Sequence, residues 1–305
     1  MNIQTIALIG AGAIGAVYAR HLHHALGDSF AVVATEKRAE RMRQDGITLN
    51  GETFFPRVIS TREDGFYSDL VLVCVKNYHL EDAARDMRAV VGKDTVILPV
   101  LNGITARDRI LEHYPDNHVL YGLAIYIDAV RTAEGVITTK DGIIQLGDAQ
   151  NDPMSPLVAA VSETLNHAGI GTEVCPDMIR TIWRKWMLNV GCNQVSALTR
   201  ATYSGFRTPE TRSLFFDAMM EVVALAKAAN VNLTEADARE FVTLMQTFSP
   251  MSKTSMLQDV EASRKTEVAS FGGTVCEMGR RYGVATPVND MITRLIIATE
   301  QVYGV

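Results

Sequence analysis

The segment Trp183-Arg-Lys185-Trp-Met-Leu-Asn189-Val-Gly-Cys-Asn193 sets one ammonium and two amides at successive intervals of four. At 3.6 residues per turn each step drifts by about 40°, so Lys185, Asn189 and Asn193 share one stripe of a helix. Trp186, Met187, Leu188 and Val190 make the flanks too apolar for a freely solvated helix. A polar stripe on a mostly buried helix needs partners, and either a bound ligand or neighbouring backbone would supply them. A second polar cluster runs Ser255-Met-Leu-Gln258-Asp259, followed by Arg264-Lys-Thr-Glu267. Ser255 with Gln258 also fits a helix capping box, and Glu267 reads equally as a surface partner of Arg264 or Lys265. Leu101-Asn102-Gly103 follows a strand, at the end where ligands of open parallel sheets collect, though a plain turn has the same composition.

Near the start, Gly10-Ala11-Gly12-Ala13-Ile14-Gly15 lies after a predicted strand and opens a predicted helix. In that context Gly10 permits a tight turn, Gly12 lets backbone approach a pyrophosphate, and Gly15 lets helix and strand pack closely. Ala13 and Ile14 then belong to a helix N-terminus whose N–H groups and partial positive charge suit phosphates. About 20 residues further on, where an acid would bind the ribose 2′-hydroxyl of NAD and a base the 2′-phosphate of NADP, stands Thr35-Glu36-Lys37-Arg38. Both chemistries are present. Lys37 and Arg38 also read as the solvated first turn of a helix.

The elements that must position these residues alternate through the first half. Thr5–Ile9, Phe30–Ala34, Asp69–Lys76 and Thr95–Val100 read as strands, with further strands through Val119–Leu146. Ala13–Leu26, Leu80–Val91 and Thr105–His113 read as helices, and Asn50-Gly51 marks a hairpin within Ile47–Val58. This βαβ alternation predicts a Rossmann-type, doubly wound, mostly parallel sheet. From about Asp177 only helical patterns remain: Asp177–Leu198, Pro209–Ala229, Thr234–Phe248, Ser255–Tyr282 and Pro287–Tyr303, with a capping box at Thr234-Glu-Ala-Asp237. The expected division is a dinucleotide-binding domain over 1–174 and an all-α substrate and catalytic domain over 175–305.

Composition excludes several classes. The 305 residues are 47% hydrophobic and 21% charged, ordinary for globular chains, and 29 basic against 35 acidic residues leave a formal charge of −6. That acidity, with no Lys/Arg block, argues against nucleic acid as a partner. Cys74, Cys175, Cys192 and Cys276 show neither zinc nor disulfide spacing and read as buried thiols of a reduced, cytoplasmic protein. No metal site is expected from the seven histidines. The longest apolar run, Leu70–Val75, is about a third of the roughly 20 residues of a membrane helix, so no membrane partner is expected.

The ordered set of glycine turn, Val75-Lys76, Asn102-Gly103, Trp183-x-Lys185 with Asn189 and Asn193, and Ser255-Met-x-x-Asp259 with Thr266-Glu267 resembles the ketopantoate reductase (2-dehydropantoate 2-reductase) family along nearly the whole chain. The resemblance implies hydride transfer from NADPH to the ketone of a 2-oxo acid, as in pantothenate biosynthesis. It implies that Lys185 is the general acid and that Glu267 orients Lys185 and the substrate hydroxyl. Asn102, Asn189, Asn193 and Ser255 would hold substrate, while Lys76 would contact the adenosine end of the cofactor, beside Gly10, Gly12, Ala13, Ile14, Gly15, Lys37, Arg38 and Asn102. This chemistry is sound, because negative charge grows on the carbonyl oxygen as hydride arrives. The chain departs from the family pattern at Thr35, where an arginine for the 2′-phosphate is usual, at His79 in place of glutamine, and at Tyr203 near a substrate-holding asparagine. NAD and a different 2-oxo acid therefore stay open, as does a non-catalytic NAD(P)-binding redox sensor. The oligomeric state is not readable; a homodimer is one arrangement considered.

Overall fold

The computed structural model describes residues 3–62 and 66–305. The chain divides into two compact units, Met1–Ile179 and Arg180–Val305. In chain order the first unit contains β1 (Ile6–Ile9), α1 (Ala13–Leu26), β2 (Phe30–Ala34), α2 (Glu36–Asp45), β3 (Ile47–Leu49), β4 (Glu52–Phe54), β5 (Arg57–Ser60) and β6 (Ser68–Val73). There follow α3 (Leu80–Asp86), β7 (Val91–Pro99), α4 (Ala106–His113), β8 (His118–Val119), β9 (Tyr121–Ile127), β10 (Val130–Arg131), β11 (Val136–Ile137), β12 (Asp141–Gly147), α5 (Pro156–His167) and β13 (Gly171–Val174).

The central sheet has the order β5-β2-β1-β6-β7-β8, and every neighbouring pair in it is parallel. From β1 the chain winds outward through β2 to β5, then returns to β6 on the other side of β1. The order therefore reverses between β1 and β6, and the carboxyl ends of those two strands flank the crevice that such sheets use for ligands. β1 and β2 are buried along their whole length, which is why they read as continuous apolar runs. One face packs Leu8, Val32 and Leu72 under Val17 and Leu22 of α1 and Val161 and Leu165 of α5. The other packs Ala7, Val33 and Val71 under Leu80 and Ala84 of α3 and Ile110 of α4.

Asn50 and Gly51 both adopt positive φ, 50° and 81°, and join β3 to β4 with Leu49 opposite Glu52, the backbone of a type I′ hairpin. The second arm differs from expectation. It ends at Phe54, and after Pro56 the chain enters the central sheet as β5. Helix α5 and strand β13 were not anticipated, yet Ser155-Pro156 carried the signal: Ser155 caps the helix by accepting from the Val158 N–H at 3.2 Å, and proline occupies the first turn.

Helix α6 (Met178–Thr199) leads into the second unit, which continues with α7 (Pro209–Ala228), α8 (Glu235–Leu244), α9 (Ser255–Glu261), α10 (Gly272–Tyr282) and α11 (Pro287–Tyr303). The Thr234/Asp237 capping box is formed: Asp237 accepts from the Thr234 N–H at 2.9 Å and the Thr234 hydroxyl at 3.0 Å. The single helix expected over Ser255–Tyr282 is two. α9 closes with Ser263 at φ 50°, the Arg264 N–H returning to the Asp259 carbonyl and the Ser263 N–H to that of Val260, a Schellman motif built on serine. α10 starts at Gly272, where a Cβ would lie 2.1 Å from the Thr293 hydroxyl and 2.2 Å from Gln194 Oε1, so only glycine fits against them. The break leaves Glu267 in an irregular segment ahead of a short 3₁₀ turn, Val268–Ser270.

Asp128, after β9, binds the loop that opens β12. It accepts from Thr139 N–H at 2.8 Å, Lys140 N–H at 2.9 Å, the Thr138 hydroxyl at 2.9 Å and, over a short contact, the Thr139 hydroxyl. Partial burial raises its proton affinity, but the hydrogen bonds outweigh that and hold the carboxyl at about 2. The folded value lies below the unfolded one of about 3.9, so this stability is full above pH 4 and is lost as pH falls toward 2. Asp128→Asn should lower the melting midpoint at pH 7 by about 2 °C, discounting for exposure. Calorimetry across pH should show that gap closing between about pH 4 and pH 2.

Candidate active site

Three backbone constraints shape the glycine turn. Gly10 has φ 96°, and a Cβ on it would lie 2.6 Å from Val75 Cγ1 and 2.7 Å from the Cys74 carbonyl carbon. At Gly15 a Cβ would sit 2.1 Å from the Gly10 carbonyl oxygen, so α1 rests directly on the turn. At Gly12 a Cβ would meet nothing within 4 Å. That glycine faces space, and side-chain atoms would fill it. Gly12 is the N-cap of α1, makes no side-chain cap, and the first helical turn holds no acid. Ala13 and Ile14 therefore present N–H groups without intrahelical acceptors, in the field of a 14-residue helix. A cradle of this kind fits a pyrophosphate.

The loops after β6 and β7 lie at the same end of the sheet. Lys76 is half-buried, and its carbonyl accepts from the His79 N–H at 2.9 Å. The buried Asn77 donates from Nδ2 to the Asn102 carbonyl at 2.8 Å, fastening one loop to the other, and Gly103 turns the chain at φ 92°. The two basic residues at the start of α2, Lys37 and Arg38, are both exposed, and Arg38 Nη2 donates to the Ala11 carbonyl inside the glycine turn at 3.4 Å. Glu36 is drawn to Arg62, with Nε 2.7 Å from Oε1. A depression of about 640 Å³ lined by Tyr67, Asp69, Lys93, Thr95 and Asn117 opens at the opposite, amino-terminal edge of β6 and β7, away from the end where parallel sheets bind ligands.

In the second unit α6 carries the polar stripe as spaced. Asn189 and Asn193 are buried, at 4% and 7% exposure, and Lys185 is half-buried. No carboxylate lies within ion-pair distance of Lys185 among the described residues. Burial pushes its ammonium below the ordinary lysine range, and the nearby Cys192 acts weakly in the opposite direction. Cys192 itself, seven residues on and on the same face, is raised to about 12 by burial. Its place was readable from the spacing but was missed. Tyr203, between Phe206 and Phe248, is raised by burial as well, with Cys192 the second cause.

The competing roles of the second cluster fall away. Thr254, not Ser255, caps α9 by accepting from the Leu257 N–H at 3.1 Å. That leaves the Ser255 hydroxyl to face α6, where Asn193 Nδ2 approaches it at 3.4 Å. Arg264 is engaged by Asp259 at 3.2 Å, and Glu267 is only 5% exposed, so it is no surface partner. Trp186 Nε1 donates to the Ser270 carbonyl at 3.0 Å, tying the helix of Lys185 to the turn that begins at Glu267. Thr254 also contacts Ser196 through a short hydroxyl pair, and Gln194 bridges the Gly272 N–H at 3.1 Å and Asn289 at 2.9 Å. Thr254, Gln194 and Asn289 thus hold the stripe in register, and isolated Thr, Gln and Asn codes gave no sign of it.

Fold and residues together define a dinucleotide-type α/β unit joined to a helical unit that carries a desolvated ammonium, amides and a carboxylate. Two family models match: Ketopantoate reductase PanE/ApbA over residues 6–151 and Ketopantoate reductase PanE/ApbA C terminal over 177–300. The chain belongs to the ketopantoate reductase family, whose members are oxidoreductases. It is 28% identical to a 2-dehydropantoate 2-reductase of Vibrio cholerae, covering 99% of both chains. The 2-dehydropantoate 2-reductase structure from Methylococcus capsulatus aligns at 27% identity and TM-score 0.84, covering 98% of this chain and 97% of that one. A D-mandelate dehydrogenase with NADH and anilino(oxo)acetate shares the fold at TM-score 0.87 and 23% identity, over 99% and 100% of the two chains. Among the described residues no helix is long and apolar enough to cross a membrane, and all four cysteines are buried.

Two substitutions separate the glycine roles. Gly15→Ala should cost about 2–3 kcal/mol in urea unfolding through overpacking on backbone, whereas Gly12→Ala should change stability by less than about 1 kcal/mol. Lys185→Met should raise stability at pH 7 by on the order of 1 kcal/mol, because it removes a desolvated cation. The folded pKa is lowered, so the parent pays its penalty below that value and recovers as pH rises toward about 10.4; the advantage of Lys185→Met should shrink over that range in denaturation at stepped pH.

Proposed function

We propose that this protein reduces the ketone of 2-dehydropantoate to the alcohol of pantoate with NADPH, as in pantothenate biosynthesis. The observation that carries the reading is the half-buried Lys185 ammonium on one helical face with the buried Asn189 and Asn193, the latter against Ser255. Family membership supports the substrate class. Gly10, Gly12, Ala13, Ile14 and Gly15 would hold the pyrophosphate, with Lys76, Asn102 and Arg38 toward the rest of the nucleotide. When bound, that nucleotide supplies the hydride. Lys185 donates a proton from Nζ to the carbonyl oxygen as charge develops there, and a lowered pKa makes the donation easier near neutral pH. The amides of Asn189 and Asn193 and the Ser255 hydroxyl orient the substrate's polar groups, and the buried Glu267 carboxylate, which forms no ion pair with Lys185, would take the substrate hydroxyl.

Tyr203 favours a second reading, a reductase of another 2-oxo acid, because this bulky phenol, packed between Phe206 and Phe248, stands near where the family pattern carries a substrate-holding asparagine. Steady-state assays on ketopantoate and a panel of 2-oxo acids with branched and aromatic substituents decide between the two: a kcat/KM for ketopantoate at least about 10-fold above the rest is expected, and a higher value for another acid overturns the first reading.

Lys185→Ala should lower kcat by about 10²–10⁴-fold while leaving nucleotide affinity within about twofold. In the parent, kcat should fall as pH rises through a value below about 10.4, and that limb should vanish in Lys185→Ala. A kcat for Lys185→Ala close to the parent's would remove Lys185 from the reaction.

A further inference from the structure

The chain between α9 and α10 carries the Glu267 carboxylate without regular structure ahead of it to hold it in place. Residues 262–265 are exposed, and the chain turns inward at Thr266, 2% exposed, followed by the buried Glu267 and Val268. The N–H of that inward-turning residue is taken by a side chain: it donates to Glu300 Oε1 of α11 at 2.8 Å. From there the segment closes on itself. The Thr266 hydroxyl accepts from the Val268 N–H at 3.3 Å, and the Glu267 carbonyl accepts from the Ser270 N–H at 2.9 Å and the Phe271 N–H at 3.2 Å. Glu300 therefore grips the backbone one residue ahead of Glu267.

Glu300 breaks two local rules to be there. Asn289, Ile292, Thr293 and Ile296 form the buried face of α11, and Glu300, one turn beyond Ile296 and half-buried, continues that stripe with a carboxylate. It also stands in the last turn of the helix, where the unpaired carbonyls disfavour an acid. Such a placement costs stability unless a donor compensates it, and the Thr266 N–H does so in a charge-assisted bond. The helix cannot slide to relieve the cost. At its other end Glu221 of α7 accepts from the Val288 N–H at 2.7 Å and from the Asn289 N–H at 3.0 Å. One end of α11 is thus pinned to α7 while the other holds the segment of Glu267. An acid that brings its own helix no gain is explained by a task outside that helix.

We propose that Glu300 is a positioning residue for the reaction: through the Thr266 N–H it fixes the backbone from which Glu267 reaches the substrate hydroxyl, and it thereby supports the preference for a hydroxylated 2-oxo acid. The assignment rests on the proposed reduction of ketopantoate and on Glu267 as the residue that takes its hydroxyl. Glu300 itself touches neither substrate nor nucleotide in this arrangement. Its loss should therefore be felt by one substrate group alone.

Steady-state kinetics of the full chain with NADPH compare ketopantoate with 3,3-dimethyl-2-oxobutanoate, the same acid without its hydroxyl. The variants are Glu300→Ala, Glu300→Gln, Glu267→Gln and the double variant of Glu300→Ala with Glu267→Gln. Glu300→Ala should lower kcat/KM for ketopantoate by about 10-fold, chiefly through KM, and leave that for the hydroxyl-free acid within about twofold. Glu300→Gln keeps an acceptor oxygen and should recover most of the loss. In the Glu267→Gln background, Glu300→Ala should cost less than about twofold, the non-additivity of residues that act through one contact. NADPH affinity, read by nucleotide fluorescence, should stay within about twofold throughout. Where Glu300→Ala lowers the melting midpoint by more than about 5 °C, Glu300→Asp, which keeps the charge and withdraws it by one methylene, replaces it with the same expectation. An equal loss on both acids, or full additivity with Glu267→Gln, marks a purely structural role and overturns the assignment, as does an unchanged KM for ketopantoate in Glu300→Ala. A parent that does not reduce ketopantoate overturns the proposed function, and this inference with it.

Discussion

The second unit is organised around a cation held partly out of water. An ammonium on the Lys185 face of α6 cannot be left to find its own position, since a desolvated charge relaxes toward solvent unless packing prevents it. Packing does so here at both ends of the stripe. Trp186 anchors α6 to the Ser270 carbonyl; farther along, Gln194 is locked between Val190, Gly272 and Asn289. Asn289 in turn reaches the Ala218 carbonyl and Glu221. This buried polar chain has its donors and acceptors matched, the condition under which such networks rigidify a core. Gly191 lets the helix come close to α7, where a Cβ would sit 2.6 Å from the Phe215 ring. The helix is therefore placed by partners on its other faces, which leaves Lys185 outside this network.

The first unit solves its problem with backbone. Gly15 on the Gly10 carbonyl and Gly10 on the Cys74–Val75 backbone interlock strand, turn and helix so that few side chains are involved. What is offered to an anion is the open N-terminus of α1, a dipole that neither titrates nor rotates away. Arg38 adds a side chain to the turn through the Ala11 carbonyl.

How much of this was legible follows from the range of each signal. Alternation of apolar runs and helical stripes is local, so the α/β first half and helical second half could be read directly, as could the Asn50-Gly51 hairpin and the Thr234/Asp237 box. The functional glycines were legible because their context, strand before and helix after, lies within about 15 residues. The break between α9 and α10 was not, because a serine in the left-handed region and a glycine demanded by Gln194 and Thr293 depend on contacts distant in sequence. Ser255 was ambiguous for a similar reason: Thr254 and Ser255 are both capping residues, and only the backbone decides which one caps.

A division of labour between backbone and side chains bears on how such a protein changes. The glycine turn tolerates almost no substitution, yet it recognises only what every dinucleotide shares, so whatever distinguishes one nucleotide from another must come from side chains at its rim. The same holds for the stripe on the proposed reading: Lys185 with Asn189 and Asn193 would answer the carbonyl and polar groups common to 2-oxo acids, while the bulk of Tyr203, packed between Phe206 and Phe248, lies outside that polar set. Residues of the second kind can be exchanged at little cost in stability, because their loss strands no buried donor or acceptor. Differences in cofactor and substrate choice among chains of this fold should therefore accumulate at rim positions such as Thr35 and Tyr203, around a centre that stays fixed by packing.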